Sequence, residues 1–192
     1  MRNTNLRYLF ILIILVAFYY PLRAGDNRTI PLDLYLIIDG SATLKNSKND
    51  TLKWVNEQVI DRILINGDKI TVWTAGDRAQ VLLSETISGA DVKTGIKDKL
   101  QSLDTGGKTA DFSGALRETA SRLTQTGSER LAVTMLVTSS AEVLEPALTG
   151  SSQGLFRWFR SEKYERWQVL IVAPDIGRKV QEAGAAYMSS RR

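Results

Sequence analysis

Residues 32–45 read LDLYLIIDGSATLK, an almost unbroken apolar run that stops abruptly at Asp39-Gly40-Ser41-Ala42-Thr43. A run of this length without alternation predicts a strand buried on both faces. Asp, Gly and Ser are ordinary residues for the turn that ends such a strand. Whether Asp39, Ser41 and Thr43 only turn the chain or also hold something depends on what surrounds them.

The rest of the chain alternates strands with helices. Leu52, Val55, Val59, Ile60, Ile63 and Leu64 recur on one face of a helix. DKITVWTAGDRAQVLLSETI (68–87) predicts two strands joined at Ala75-Gly76-Asp77. Val92, Ile96, Leu100 and Leu103 mark a second helix, and Phe112, Ala115, Leu116, Ala120 and Leu123 a third. RLAVTMLVTSS (130–140) is a further buried strand, GLFRWFRSEKYE (154–165) is helical in pattern, and WQVLIVAP (167–174) is a strand stopped by Pro174. Val180, Ala183 and Tyr187 mark a closing helix. Such alternation predicts one α/β domain: a doubly wound, Rossmann-like, mostly parallel sheet with helices on both faces. Ligands of such sheets bind beyond the carboxyl ends of the strands, where the strand order reverses. Asp39-Gly40-Ser41 lies at such an end.

Composition narrows the chemistry. The chain has neither cysteine nor histidine. That removes disulfides, thiol nucleophiles, the usual general base and the commonest ligand of transition metals. A metal site here must use oxygen ligands, which favours hard ions such as Mg²⁺. The formal charge of +4 is concentrated at the amino end: apart from Arg2, Arg7 and Arg23, 22 basic residues face 21 acidic ones. A nearly neutral domain gives no sign of a nucleic-acid surface.

Residues 1–25, MRNTNLRYLFILIILVAFYYPLRAG, place two arginines ahead of an apolar stretch from Tyr8 to Tyr20, or to Leu22 with Pro21 included. This is shorter than the ~20 residues of a straight membrane span and matches the apolar core of a signal peptide. The positions before a cleavage point, Leu22 and Ala24, are a poor signal, and Tyr19 and Tyr20 suit a membrane interface. Both readings, a signal peptide or an uncleaved anchor through residues 8–22, place residues 26–192 outside the cytoplasm. The expected location is the cell envelope, either anchored at the inner membrane or free in the periplasm or outside the cell.

Asp39, Ser41 and Thr43 put one carboxylate and two hydroxyls at alternate positions just past a strand, and Gly40 allows a turn sharp enough for them to converge. In this setting LDLYLIIDGSATL resembles the first strand and Asp-x-Ser-x-Ser/Thr loop of von Willebrand factor type A domains. ITVWTAGDRAQVLLSETI resembles that family's hairpin of second and third strands. TGGKTADFSGALRETASRL (105–123) resembles its threonine loop and following helix, and LAVTMLVTSSAEV (131–143) its fourth strand. The resemblance covers roughly residues 32–188. It implies one antiparallel edge strand and a metal-ion-dependent adhesion site that binds Mg²⁺ or Mn²⁺ through Asp39, Ser41, Thr43 and Thr109. It also implies a protein partner whose Asp or Glu completes the coordination.

Two departures from the family pattern matter. Its fourth-strand loop reads Thr-Asp-Gly, whereas this chain reads Thr138-Ser139-Ser140, so Ser139 stands where a second aspartate is usual. The threonine loop is also one residue longer. Asp111 and Ser139 are therefore further candidates for the site, Asp111 as the carboxylate that could compensate. The function expected from the resemblance is an exported, membrane-tethered binding module. The alternative is a metal-free, degenerate domain serving as a structural subunit of an envelope assembly. No enzyme activity is expected, because no pair of carboxylates stands out.

Three motifs compete for attention. GGKT (106–109) lacks the glycine that a phosphate loop needs at 102, which is Ser, and follows a helix rather than a strand. GSSQG (150–154) matches a nucleophile elbow but has no histidine to serve it. LFRWFRSEKYERW (155–167) interleaves aromatics with arginines; Leu155, Trp158 and Phe159 share one face, as in a helix packed on a sheet. Trp54 and Trp73 fall within helix and strand patterns and are expected in the core.

Overall fold

A computed structural model of the chain describes residues 28–123, 129–144, 147 and 167–173. Its strands are β1 (Leu32–Asp39), β2 (Lys69–Ala75), β3 (Ala79–Thr86), β4 (Leu131–Val137) and β5 (Trp167–Val172). They form one five-stranded sheet in the order β3-β2-β1-β4-β5. β1 pairs parallel with β2 and with β4, and β4 pairs parallel with β5. Only β2 and β3 run antiparallel, with a break in register between Val72 and Trp73. The mostly parallel sheet with one antiparallel edge strand is therefore as expected.

All eight residues of β1 are buried, because it is the middle strand and helices cover both faces. Leu32, Leu34, Leu36 and Ile38 enter one core together with Leu52, Val55, Val59, Ile60, Ile96 and Leu100. These helical residues belong to α1 (Lys48–Trp54), its continuation Val55–Asp61, and α2 (Ala90–Gln101). Ile37 enters the other core with Trp73 and with Phe112, Ala115, Leu116 and Ala120 of α3 (Phe112–Leu123). Successive residues of β1 thus feed opposite cores, as the two-residue period of a strand requires.

The face of the first helix differs from expectation at its end. Val55–Asp61 is a π-helical segment, whose wider i→i+5 turn shifts the apolar stripe. Leu64 stays buried while Ile63, expected beside it, is 39% exposed. Trp54, also expected in the core, is 36% exposed, whereas Trp73 is buried.

The chain runs from β1 outward through β2 and β3, then crosses back to β4 and β5 on the other side of β1. The strand order therefore reverses between β1 and β4, and sheets of this kind bind ligands beyond the carboxyl ends of the strands at such a point. Among the described residues, no helix is long and apolar enough to cross a membrane. The amino-terminal segment, the GSSQG motif, the aromatic and arginine stretch up to 166 and the closing helix lie outside the described residues.

Candidate metal site

Asp39 ends β1 at the reversal point and is fully buried. Its Oδ1 accepts the backbone N–H of Ser41 at 2.8 Å, which fixes the turn immediately after the strand. Its Oδ2 accepts the Thr43 hydroxyl at 3.0 Å and the Thr138 hydroxyl at 2.6 Å. The Ser41 and Thr43 hydroxyl oxygens lie 2.6 Å apart. Since Thr43 gives its one proton to Asp39, Ser41 donates to Thr43. Ser41 Oγ then keeps its lone pairs, and no described group donates to it. The structure thus brings Asp39, Ser41 and Thr43 together directly.

Two glycines make this loop possible. A Cβ on Gly40 would stand 2.5 Å from Thr74 Cγ2 and 3.1 Å from Gly76 N, since Gly40 N donates to the Ala75 carbonyl at 2.7 Å. A Cβ on Gly107 would stand 2.9 Å from Gly40 O, 3.1 Å from Thr109 O and 3.2 Å from Asp77 N. Gly107 bridges to Ser41: its N–H donates to Gly40 O at 3.0 Å and its carbonyl accepts from Ala42 N at 2.8 Å. The threonine loop is thereby docked backbone to backbone on the aspartate loop.

Thr109 is exposed, and its hydroxyl donates to Asp77 Oδ1 at 3.3 Å. The same oxygen accepts Thr109 N at 2.9 Å and Lys108 N at 2.7 Å. These bonds hold the Asp77 carboxyl below its usual range. The Thr109 N–H is the largest contributor, and the Lys108 N–H, the Thr109 hydroxyl and the Lys108 charge act in the same direction. A hydroxyl that donates to a carboxylate still has lone pairs for a cation, and such outer partners orient metal ligands. Asp111 and Ser139 are occupied locally. Asp111 Oδ1 accepts the Gly114 N–H at 2.8 Å, capping α3, and Oδ2 accepts Ala79 N at 3.3 Å. Ser139 donates to the Thr43 carbonyl at 2.9 Å.

Two participants were not singled out from the sequence. Thr138 follows β4 in the register that pairs Ile38 with Val137, so it falls beside Asp39. Its signal was being the first polar residue after an apolar strand. Asp77 carried no signal beyond that of a turn residue. The donor set suits a hard divalent ion in kind: it is all oxygen, with one carboxylate and neighbouring hydroxyls beside a backbone cradle that a Cβ would fill. In charge it is sparse. Among the described residues, no three Asp, Glu, His or Cys side chains gather.

No family model matches the chain. Proximal thread matrix protein 1 from the mussel byssus superposes with a TM-score of 0.55 at 11% identity, over 75% of this chain and 38% of that one. The same protein with a zinc-occupied metal-ion-dependent adhesion motif gives the same values. A von Willebrand factor type A structure from Catenulispora acidiphila has a TM-score of 0.49 at 13% identity, over 80% of this chain and 41% of that one. The fold is like that of von Willebrand factor type A domains. A Treponema pallidum (strain Nichols) protein described as uncharacterized is 30% identical over 97 residues, 50% of this chain and 43% of that protein. The chain spans less than half the length of each of these relatives. In type A terms, the first-strand loop, the threonine loop and the fourth-strand loop all meet at the reversal point, the last carrying Ser139.

Proposed function

We propose that this domain is a binding module, not an enzyme, in which Asp39, Ser41 and Thr43, with Thr109 of the docked threonine loop, hold Mg²⁺ or Mn²⁺. A partner protein's Asp or Glu completes the coordination. The observation that carries this reading is the Ser41–Thr43–Asp39 hydroxyl chain at the reversal point, which ends on a Ser41 oxygen with free lone pairs. The zinc in the mussel protein's adhesion motif supports a divalent ion on this fold. Bound there, the ion would supply a partly neutralised positive charge as a contact point. The chain's own residues orient the oxygens: Thr138 and Ser41 N–H fix the Asp39 carboxylate, and Asp77 holds the threonine loop in place. The same reading places the domain in the cell envelope, tethered through residues 8–22 or released from them.

One observation favours a second reading, a metal-free domain that assembles through packing surfaces. Ser139, which stands where a second carboxylate is usual, is neutral and its hydroxyl donates to the Thr43 backbone carbonyl. Thermal unfolding of the full chain with and without millimolar Mg²⁺ or Mn²⁺ separates the two. A metal at ~100 times its dissociation constant adds about 2.7 kcal/mol to wild-type stability, and Asp39→Ala abolishes the gain. An unchanged wild-type transition, with partner capture indifferent to chelator, would leave the metal-free reading standing.

A further inference from the structure

Among the described residues, the large apolar side chains left exposed are Ile30, Trp54, Ile63, Val81, Leu131 and Leu170. Ile30, Ile63 and Leu131 gather at one end of the sheet. Ile30 leads into β1, Leu131 opens β4, and Ile63 follows the π-helical segment that leads to β2. Leu131 N donates to the Pro31 carbonyl at 3.0 Å, beside Ile30, and Arg28 donates to the Ile63 carbonyl at 3.3 Å. Trp54, Val81 and Leu170 lie apart, on α1 and on the two opposite edge strands. The exposed charges at this end are of both signs, Arg62 and Lys69 against Glu129. The guanidinium groups of Arg28 and Arg130 pair with the buried Asp68 and Asp33. Apolar side chains, not charge, therefore distinguish this end.

We propose that this end of the sheet, through Ile30, Ile63 and Leu131, docks on the lipid surface of the membrane that anchors residues 8–22. This deepens the reading above and rests on its tether. Chain length carries it. Only residues 23–27 separate Leu22, the end of the apolar stretch, from Arg28. Even a fully extended chain from Leu22 to Arg28 reaches only roughly 20 Å. Arg28 contacts Ile63 and stands two residues before Ile30, so the tether enters the domain at its apolar end. Asp39 and its hydroxyls lie at the other end of β1, about 25 Å farther from the lipid for a strand of eight residues. Three half-exposed side chains are too few to hold a free domain on a bilayer. On a short tether the contact is intramolecular, at high effective concentration, and needs little affinity of its own. Apolar faces held in this way settle at the boundary between head groups and acyl chains. Without a charge preference, the contact needs no anionic lipid. The loops around Asp39 then face away from the membrane, open to a partner.

The chain has no cysteine, so a single substitution can carry a single fluorescent label. Asn66→Cys labels the apolar end and Lys45→Cys the opposite end, both at exposed positions. The full chain is reconstituted in phosphatidylcholine vesicles that contain a lipid with a nitroxide quencher on its head group. The label at 66 should be quenched several-fold more strongly than the label at 45. Ile30→Ser, Ile63→Ser and Leu131→Ser together should abolish most of that difference while the protein still floats with the vesicles. Ile63→Ser alone should lower it in part. Equal quenching at the two positions, or a difference that the serine substitutions leave untouched, would overturn the docking and leave the tether standing. Loss of the difference as protein density in the vesicles rises would overturn it in favour of a second copy of the chain on this face. A full chain that fails to float with the vesicles would overturn tether and docking together.

Discussion

The Asp77 carboxylate lies on the exposed β2–β3 turn, yet Lys108 N, Thr109 N and the Thr109 hydroxyl all converge on one of its oxygens. Led by the Thr109 N–H, these contacts lower its pKa from 3.8. A carboxyl whose folded pKa is depressed contributes fully above its unfolded value and loses that contribution as pH falls through the folded one. The threonine loop should therefore stay ordered throughout the neutral range and loosen only in acid, below 3.8. Amide exchange at Lys108 and Thr109, followed down in pH by nuclear magnetic resonance, checks this, and Asp77→Asn at neutral pH should give the loosened behaviour without acid. Loosening already near neutrality in the wild type would show that another group governs the loop. Asp77 also shows where sequence reading stops. Asp39, Ser41 and Thr43 are legible because one turn holds all three. Asp77 and Thr138 act across gaps of 32 and 99 residues, which only the folded sheet closes.

At the scale of elements, α3 decides what Asp111 can do. The helix starts one residue after Asp111, whose Oδ1 accepts the Gly114 N–H at 2.8 Å. The packing there is tight: a Cβ on Gly114 would fall 2.1 Å from Asp111 Oδ2. This is an N-cap, where a side-chain oxygen satisfies a backbone donor that the helix leaves unpaired. Asp111→Ala should destabilise the protein by about 1 kcal/mol and leave Mn²⁺ affinity unchanged, as read from urea unfolding and from titration of the folded variant. A large loss of metal affinity with little loss of stability would instead make Asp111 a ligand. The elements themselves were legible, since each strand is an apolar run and each helix an apolar stripe. The π-helical segment was not, because its widened turn leaves the apolar spacing of Val55, Val59 and Ile60 intact and shows only at Ile63.

Across the whole molecule, the two ends of the sheet have separate tasks. At the end opposite the site, the fully buried Asp68 accepts the backbone N–H groups of Leu32 and Ile65 at 2.9 and 2.8 Å and pairs with the Arg28 guanidinium. Arg130, just before β4, pairs with buried Asp33 and donates to the Leu32 and Gly67 carbonyls at 3.0 Å. These contacts tie the starts of β1 and β4 to the segment leading into β2, so the central strands are fixed at one end while the loops meet at the other. Arg28 is partly exposed and can rehydrate, whereas the Leu32 N–H is buried and the Ile65 N–H is half-buried. Asp68→Ala should therefore cost about 2 kcal/mol, chiefly the penalty for leaving the buried Leu32 N–H unpaired. Because effects at well-separated positions add independently, the folded variant should bind Mn²⁺ within about twofold of wild type. Urea unfolding gives the first quantity and titration below the unfolding transition gives the second. A fall in metal affinity in a fully folded Asp68→Ala protein would mean that the clamp at the amino ends of the strands sets the geometry of the loops at their carboxyl ends.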